Sequence, residues 1–409
     1  MFGRKISATG ILLLFFVVIM SFNVNAQGTT IILGQDTDRR PISTAVPFLS
    51  IAPDARAAAM GDVGVALSPD ANSTYWNAAK LPFAKDKFGI SLSYSPWLRQ
   101  LVNDMYLAYL SGYYKLDDRQ AVGFALTYFN LGDIQFTDII GNPIKDFNPR
   151  EFAFSGSYAR KLGEQFSLAV SGRFIYSNLS ANIVLPNQQE AKAGITGAVD
   201  IGAYYTKDDL EVGGRPASLS LGVNISNIGA KISYSNENEQ DFIPTNLRLG
   251  GAFTMDLDPL SRNALTFALD FNKLMVPTPP KLDSAGNIID GTDPRDKTVL
   301  SGIFGSFSDA PDGFGEELQE FTTSIGVEYK YRDQQGRDVF AARAGYFNEH
   351  KNKGDRKYFT VGAGINYRQF GLDVAYLIPQ SQSNNNPLAE TLRFTLSLNF
   401  EDKTESASE

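Results

Sequence analysis

The chain has 409 residues, of which 43% are hydrophobic, 12% aromatic and 36 Gly, and it carries a net charge of −8. It has no Cys, which excludes disulfides and thiolate metal or redox chemistry, and its one His, His350, gives His-based zinc sites and Ser-His-Asp triads nothing to build on. The acidic balance argues against nucleic acid as a partner.

In chain order, the first element is a leader. Arg4 and Lys5 form a basic start, Ile11 to Met20 is unbroken apolar sequence, and Val24-Asn25-Ala26 ends in a small residue. Residues 1–26 therefore read as a signal peptide, with the mature chain starting at Gln27. No later run reaches the ~18 apolar residues of a transmembrane helix. Residues 27–86 form a segment of their own ahead of the first strand. Within it, Ala55–Met60 is expected to be a short helix broken by Gly61, Gly64 and Pro69, and Asp70 to Trp76 offers capping and turn chemistry.

From residue 87 the pattern changes to period two. In FSLAVSGRFIY (Phe166–Tyr176), Phe166, Leu168, Val170, Gly172, Phe174 and Tyr176 alternate with Ser167, Ala169, Ser171, Arg173 and Ile175. Alternate side chains of a strand point to opposite faces, so this strand has one greasy side. Fourteen candidate strands follow, near 88–98, 104–115, 120–131, 151–160, 166–178, 195–206, 217–226, 245–256, 263–272, 322–332, 338–348, 358–367, 369–378 and 391–400, of which the second, third and thirteenth alternate poorly and have soft boundaries. Most have about the 9–11 residues that a tilted strand needs to cross a bilayer.

The connections are unequal. DDRQ, KLGEQ, DLDPLS and DQQGR are tight turns, whereas 132–150, 179–194, 227–244, 273–321 and 379–390 are long and polar. Short turns at one end and long loops at the other are the habit of outer-membrane barrels. The expected fold is thus all-β: a 14-stranded antiparallel transmembrane barrel over 87–400, a plug at 27–86, long extracellular loops, and a short tail at 401–409. Aromatic residues near strand ends (Tyr113, Tyr114, Tyr128, Phe129, Tyr204, Tyr205, Tyr358 and Phe359) suit interfacial girdles.

Lipid outside puts the charged positions inside. Arg173, Asp200, Arg248, Asp256, Asp270, Glu328, Lys330, Arg343, Asp373 and Arg393 are assigned to the lumen, either as a polar conduit or as a salt-bridged filling. A barrel this wide must conduct or be filled. The plug candidates are Asp54, Arg56, Met60, Asp62, Asn72, Tyr75, Trp76 and Asn77.

Residues 273–321 make the longest loop. Val299, Leu300, Ile303, Phe304 and Phe307 share one helical face, with Phe314 following. Such a face can pack onto the barrel mouth or bind a partner. His350 reads as a solvated loop residue, and Trp76 and Trp97 as plug-packing and interface-anchoring side chains. Asp117-Asp118 reads as a turn; no Ca²⁺-loop pattern and no G-x-S-x-G elbow occurs. No metal, cofactor or catalytic residue is expected.

The runs APDARAAAMGD (Ala52–Asp62) and DANSTYWN (Asp70–Asn77), with the closing strand LRFTLSLNF, resemble the hatch region and barrel of FadL-type outer-membrane proteins. More narrowly they resemble the PorV/PorQ family of the type IX secretion system, nearest its PorV branch, also called LptO. FadL-type hatches commonly read Asn-Pro-Ala where this chain has Asn77-Ala78-Ala79. The resemblance implies an outer-membrane barrel, set among outer-membrane lipid and lipopolysaccharide, that associates with an SprA-like translocon barrel. It further implies binding of secreted cargo through its C-terminal signal domain and delivery to a PorU-like sortase attachment complex. The family has also been linked to lipopolysaccharide deacylation, for which the sequence offers no catalytic residues. The alternative is a FadL-like transporter of hydrophobic small molecules, which requires a greasy pocket under the hatch and a gap in the wall, for instance at Gly123, Gly156 or Gly172.

Overall fold

The alternating segments close into a ring. In the computed structural model, residues 39–97, 104–137, 140–179, 191–234, 239–283, 285–380 and 391–400 are described. The expected signal peptide, residues 27–38 and the tail 401–409 lie outside them. Fourteen antiparallel strands form the wall, each paired with its sequence neighbour, and the last pairs with the first from Phe88↔Phe400 to Tyr94↔Phe394. They are β1 (Phe88–Pro96), β2 (Tyr106–Lys115), β3 (Gln120–Asn130), β4 (Arg150–Lys161), β5 (Phe166–Asn178), β6 (Gly194–Val212) and β7 (Arg215–Gly229). The ring continues through β8 (Asn246–Asp256), β9 (Asn263–Leu274), β10 (Phe321–Arg332), β11 (Asp338–Asn348), β12 (Lys357–Tyr367), β13 (Phe370–Pro379) and β14 (Leu392–Phe400).

Burial along the strands is inverted relative to a water-soluble sheet. On β5, Phe166, Leu168, Val170 and Phe174 are exposed while Ser167, Ala169, Ser171 and Ser177 are buried. The same inversion on β14 exposes Leu392, Phe394 and Leu396 and buries Arg393 and Thr395. A continuous apolar exterior with no free strand edge is what hydrocarbon requires. The barrel sits in the outer membrane, and its short-turn end is the periplasmic end. No described helix is long and apolar enough to cross a membrane.

Three features differ from expectation. Strands β6 and β7 run to 19 and 15 residues and meet at Gly213-Gly214, so the expected loop between them is a two-residue turn. Both glycines have positive φ (61° and 78°), the geometry of the tight turns that suit strand twist. The loop after β3 folds a small hairpin of its own, Ile134–Thr137 with Pro143–Phe147. Third, the aromatic pairs at strand ends are divided between the two faces. Tyr113, Phe129, Tyr204 and Tyr358 are buried inside, so only their neighbours serve the girdles. Adjacent residues of a strand cannot share a face. Outward tilted ring pairs, Tyr94–Tyr106 (5.5 Å) and Phe88–Phe400 (5.6 Å), lie at the two ends of β1. Trp97 likewise turns inward, edge-on to Phe129 at 6.3 Å, rather than anchoring an interface.

The described part of the N-terminal segment runs through the lumen. At the extracellular end the Arg40 N–H donates to the carbonyl of Asn352 in the β11–β12 loop (2.9 Å), and Val46, Phe48 and Leu49 pack on Leu107, Phe129 and Ile175. Helices α1 (Ala55–Ala58) and α2 (Ser73–Trp76) follow, then a 3₁₀ turn at Ala78–Phe83 against Tyr113, Ala159 and Tyr204, and the chain enters β1 from the periplasmic side.

Candidate functional site: the filled lumen and the extracellular mouth

The wall makes room for the plug with small inward residues. A Cβ added at Gly326 would meet Met60 at 2.7 Å, and one at Gly123 would meet Thr74 Oγ1 at 2.7 Å. Gly202, Gly222, Gly345 and Gly362 receive Asn77, Val65, Met60–Gly61 and Ala59 still more closely. Gly123 is therefore a seat for the plug rather than a gap in the wall. Gly156 and Gly172 pair with each other across β4 and β5, in register within the ladder.

Each plug candidate has a defined role in this seat. Asp54 caps α1 by accepting the Ala57 N–H (2.9 Å) and accepts the indole N–H of Trp76 (2.6 Å), which ties α1 to α2. Arg56 donates twice to Glu328 (3.1 Å each) and once to Asp70 (2.9 Å). Asp62, in the left-handed region at φ 63°, accepts from the hydroxyl of Tyr358 (2.5 Å) and pairs with Arg393 (3.2 Å). Asn72 Oδ1 accepts from Ser91 (2.5 Å) and Ser111 (3.1 Å). The Tyr75 hydroxyl donates to Leu49 O (3.2 Å). Asn77 donates to Ala203 O (2.9 Å) and accepts the Ala79 N–H (3.1 Å), so the motif's local turn forms without the proline. The buried Lys80, not foreseen from the sequence, donates to Gly64 O (2.7 Å).

All ten charged residues assigned to the lumen face inward. Arg173 pairs with Asp200 (2.8 Å), Arg343 with Glu328 (2.7 Å) and Asp373 (2.5 Å), Lys330 with Glu328 (3.4 Å), and Asp256 with Arg332 (3.0 Å). Asp270 accepts the N–H groups of Gly64 (2.7 Å) and Val65 (3.0 Å). The guanidinium of Arg248 lies 4.9 Å from the Tyr75 ring and 5.2 Å from the Trp76 ring. Plug side chains and these charges meet across the lumen, as Arg56 with Glu328 and Asp62 with Arg393. A pocket between Leu49, Tyr75, Tyr109 and Arg173 measures about 10 Å³, the size of one water at most.

At the extracellular mouth the long β9–β10 loop carries α3 (Val299–Gly305) and α4 (Phe314–Gln319). The stripe expected to act as one face is split. Ile303 is 4% exposed and the adjoining Gly302 lies against Phe242 and Pro277, with Val299 half-buried, but Leu300 (64%) and Phe304 (72%) face outward. Phe307 falls beyond the helix and is 40% exposed, with the Lys273 ammonium 5.5 Å from its ring. Helix α4 is inside out: Phe314 (75%) and Leu318 (56%) are exposed, while Glu316, Glu317 and Glu320 are buried.

Those three glutamates meet cations from three places, none of them foreseen. Arg40 binds Glu316 (2.7 Å) and Asp312 (2.6 Å); Lys353 binds Glu316 (2.6 Å) and Glu320 (2.9 Å); Lys273 binds Glu317 (3.1 Å) and Glu320. Burial alone would push Glu316 up; hydrogen bonds from Arg40 and Lys353 overcome it and hold its carboxyl below the usual value. The signal was present in the i, i+1, i+4 spacing of the acids opposite the i, i+4 pair Phe314 and Leu318.

A family model described as type IX secretion system protein PorV matches residues 34–281, more than half of the chain. The chain belongs to the PorV family. The helical part of the β9–β10 loop lies beyond the matched stretch. No curated protein matches. Among solved structures the chain is similar to a TodX deltaS2S3 mutant described as a monoaromatic hydrocarbon channel, at 11% identity and TM-score 0.49 over 85% of this chain and 99% of that one. It is also similar to the Ralstonia pickettii toluene transporter TbuX (11%, TM-score 0.46, 86% and 98%) and to a Pseudomonas aeruginosa FadL homologue (12%, TM-score 0.43, 88% and 100%).

Proposed function

We propose that this PorV-family barrel binds secreted cargo through its C-terminal signal domain at an SprA-like translocon barrel and hands it to a PorU-like sortase attachment complex. Residues 1–26 are removed on export in this reading, and lipid and lipopolysaccharide surround the wall. The barrel works by binding, without catalysis or cofactor. One observation carries the proposal: Leu300, Phe304, Phe314 and Leu318 stand exposed on an extracellular loop, while Glu316, Glu317 and Glu320 beside them are buried. Large apolar side chains exposed on both helices of one loop suit a partner surface. The filled lumen supports the same division of labour, since the interior offers cargo no path.

The test is a gentle-detergent pulldown from cells expressing the wild type or a variant with Leu300, Phe304, Phe314 and Leu318 changed to Ser. The wild type is expected to bring down a large barrel and signal-domain cargo, and the variant to lose cargo while assembling normally. Equal cargo recovery from both would sink the proposal. A lone wild-type protein carrying bound hydrophobic small molecules, together with an uptake defect in the deletion strain, would favour the FadL-like transporter.

A further inference from the structure

Helix α4 raises a physical question: what holds it in place? It spans six residues, too few to persist alone in water. Its apolar side chains face outward, so hydrophobic burial does not anchor it. Beyond its link to β10, which begins at Phe321, what remains is the ion cluster beneath. Three buried carboxylates left without cations would expel the helix toward solvent. The cations arrive from separate parts of the chain: Lys273 near the top of β9, Lys353 in the β11–β12 loop, and Arg40 in the segment that leads into the plug. Thr278 reinforces the cluster by donating to Glu320 (2.6 Å), and Glu317 accepts the Ala310 N–H (2.8 Å).

We propose that this cluster is a latch that holds α4 in the pose displaying Phe314 and Leu318, and that only a seated plug completes it, through Arg40. Of the three cations, Arg40 alone lies outside the barrel wall and its loops. It is also bonded through its backbone to Asn352, beside Lys353, so the chain entering the plug crosses the cluster. A barrel whose plug is not seated then lacks one wall of the latch and presents a loosened α4. Display of the outer apolar surface thereby reports that the interior is closed. The purpose assigned to the latch rests on the docking reading above; the latch itself does not.

The chain has no Cys, so Leu318→Cys introduces a single site for a nitroxide label on an outward side chain. In the full-length protein in lipid nanodiscs, Arg40→Met is expected to free the label and to speed amide exchange over 312–320 by about a hundredfold, as a buried charge losing its partner should. Arg40→Lys is expected to restore part of the order. If Arg40→Met prevents assembly, Glu316→Gln removes the buried partner of Arg40, shared with Lys353, from the other side, with the same expectation. Label mobility and exchange unchanged from wild type, in a barrel that keeps its heat-dependent gel migration, would overturn the latch. Unchanged cargo capture after the serine substitutions would instead defeat the docking reading and leave the exchange result standing.

Discussion

The plug and the extracellular helices treat the same residue types in opposite ways. In the plug, Ala59, Met60, Val65 and Trp76 are buried together with Arg56 and Asp54; Arg56 is ion-paired with Glu328, and Asp54 accepts the indole N–H of Trp76. In α4 the charges are buried and paired, but Phe314 and Leu318 are left in water. The plug has its partner already, the scalloped wall. The helices have only half of theirs, Phe242 and Pro277 under α3 and the ion cluster under α4, and keep apolar side chains exposed among the described residues. A side chain that folding leaves unsatisfied is a candidate for satisfaction by another molecule.

The comparison can be broken from the plug side first. Glu328→Ala leaves Arg56 and Arg343 short of their shared buried carboxylate and should cost roughly 3–5 kcal/mol, read as a large fall in the temperature of heat-dependent gel migration. Gly345→Val drives side-chain atoms into the Met60–Gly61 backbone; about 1–3 kcal/mol of strain should loosen the plug and raise its protease sensitivity. On the mouth side, Phe304→Ser and Phe314→Ser should each change stability by less than about 0.5 kcal/mol, because these side chains bury little. Loss of cargo from the same variants would sharpen the contrast between stability and binding.

Acid should produce the smallest effect. The Glu316 carboxyl is held below its ordinary 4.5. Its contribution to the latch is therefore complete above that value and is lost as pH falls through the lower folded value. The groups facing it are Arg40, Lys353 and Asp312, with Lys273, Glu317 and Glu320 adjoining. A label at position 318 should stay ordered from pH 7 to near 5 and gain mobility only in stronger acid.

Much of the barrel was legible because its solvent is simple. A lipid-facing wall imposes alternation, so strands such as Phe88–Tyr94 and Leu392–Phe400 could be read directly, while the second, third and thirteenth alternate poorly; the inward charges followed by elimination. Aromatic positions were less legible: Tyr113 and Tyr114 look alike in a sequence, yet one packs on the plug and the other meets lipid. The plug motifs could be seen, but not their partners. Arg56 and Glu328 are separated by 272 positions, and no local pattern joins them. The mouth cluster was missed for the same reason, since Arg40, Lys273, Glu316 and Lys353 come from four distant stretches. The Val299–Phe307 stripe was visible, but periodicity does not say which edge of a stripe packs and which stays in water.

The central claim is that the interior is closed by the plug and that work is done on the outer surfaces. Single-channel recording of the purified barrel in planar bilayers tests it most directly. The wild type should be silent, and deletion of residues 39–86 should open a steady conductance. A stable open channel in the wild type, or no difference after deletion, would contradict the account.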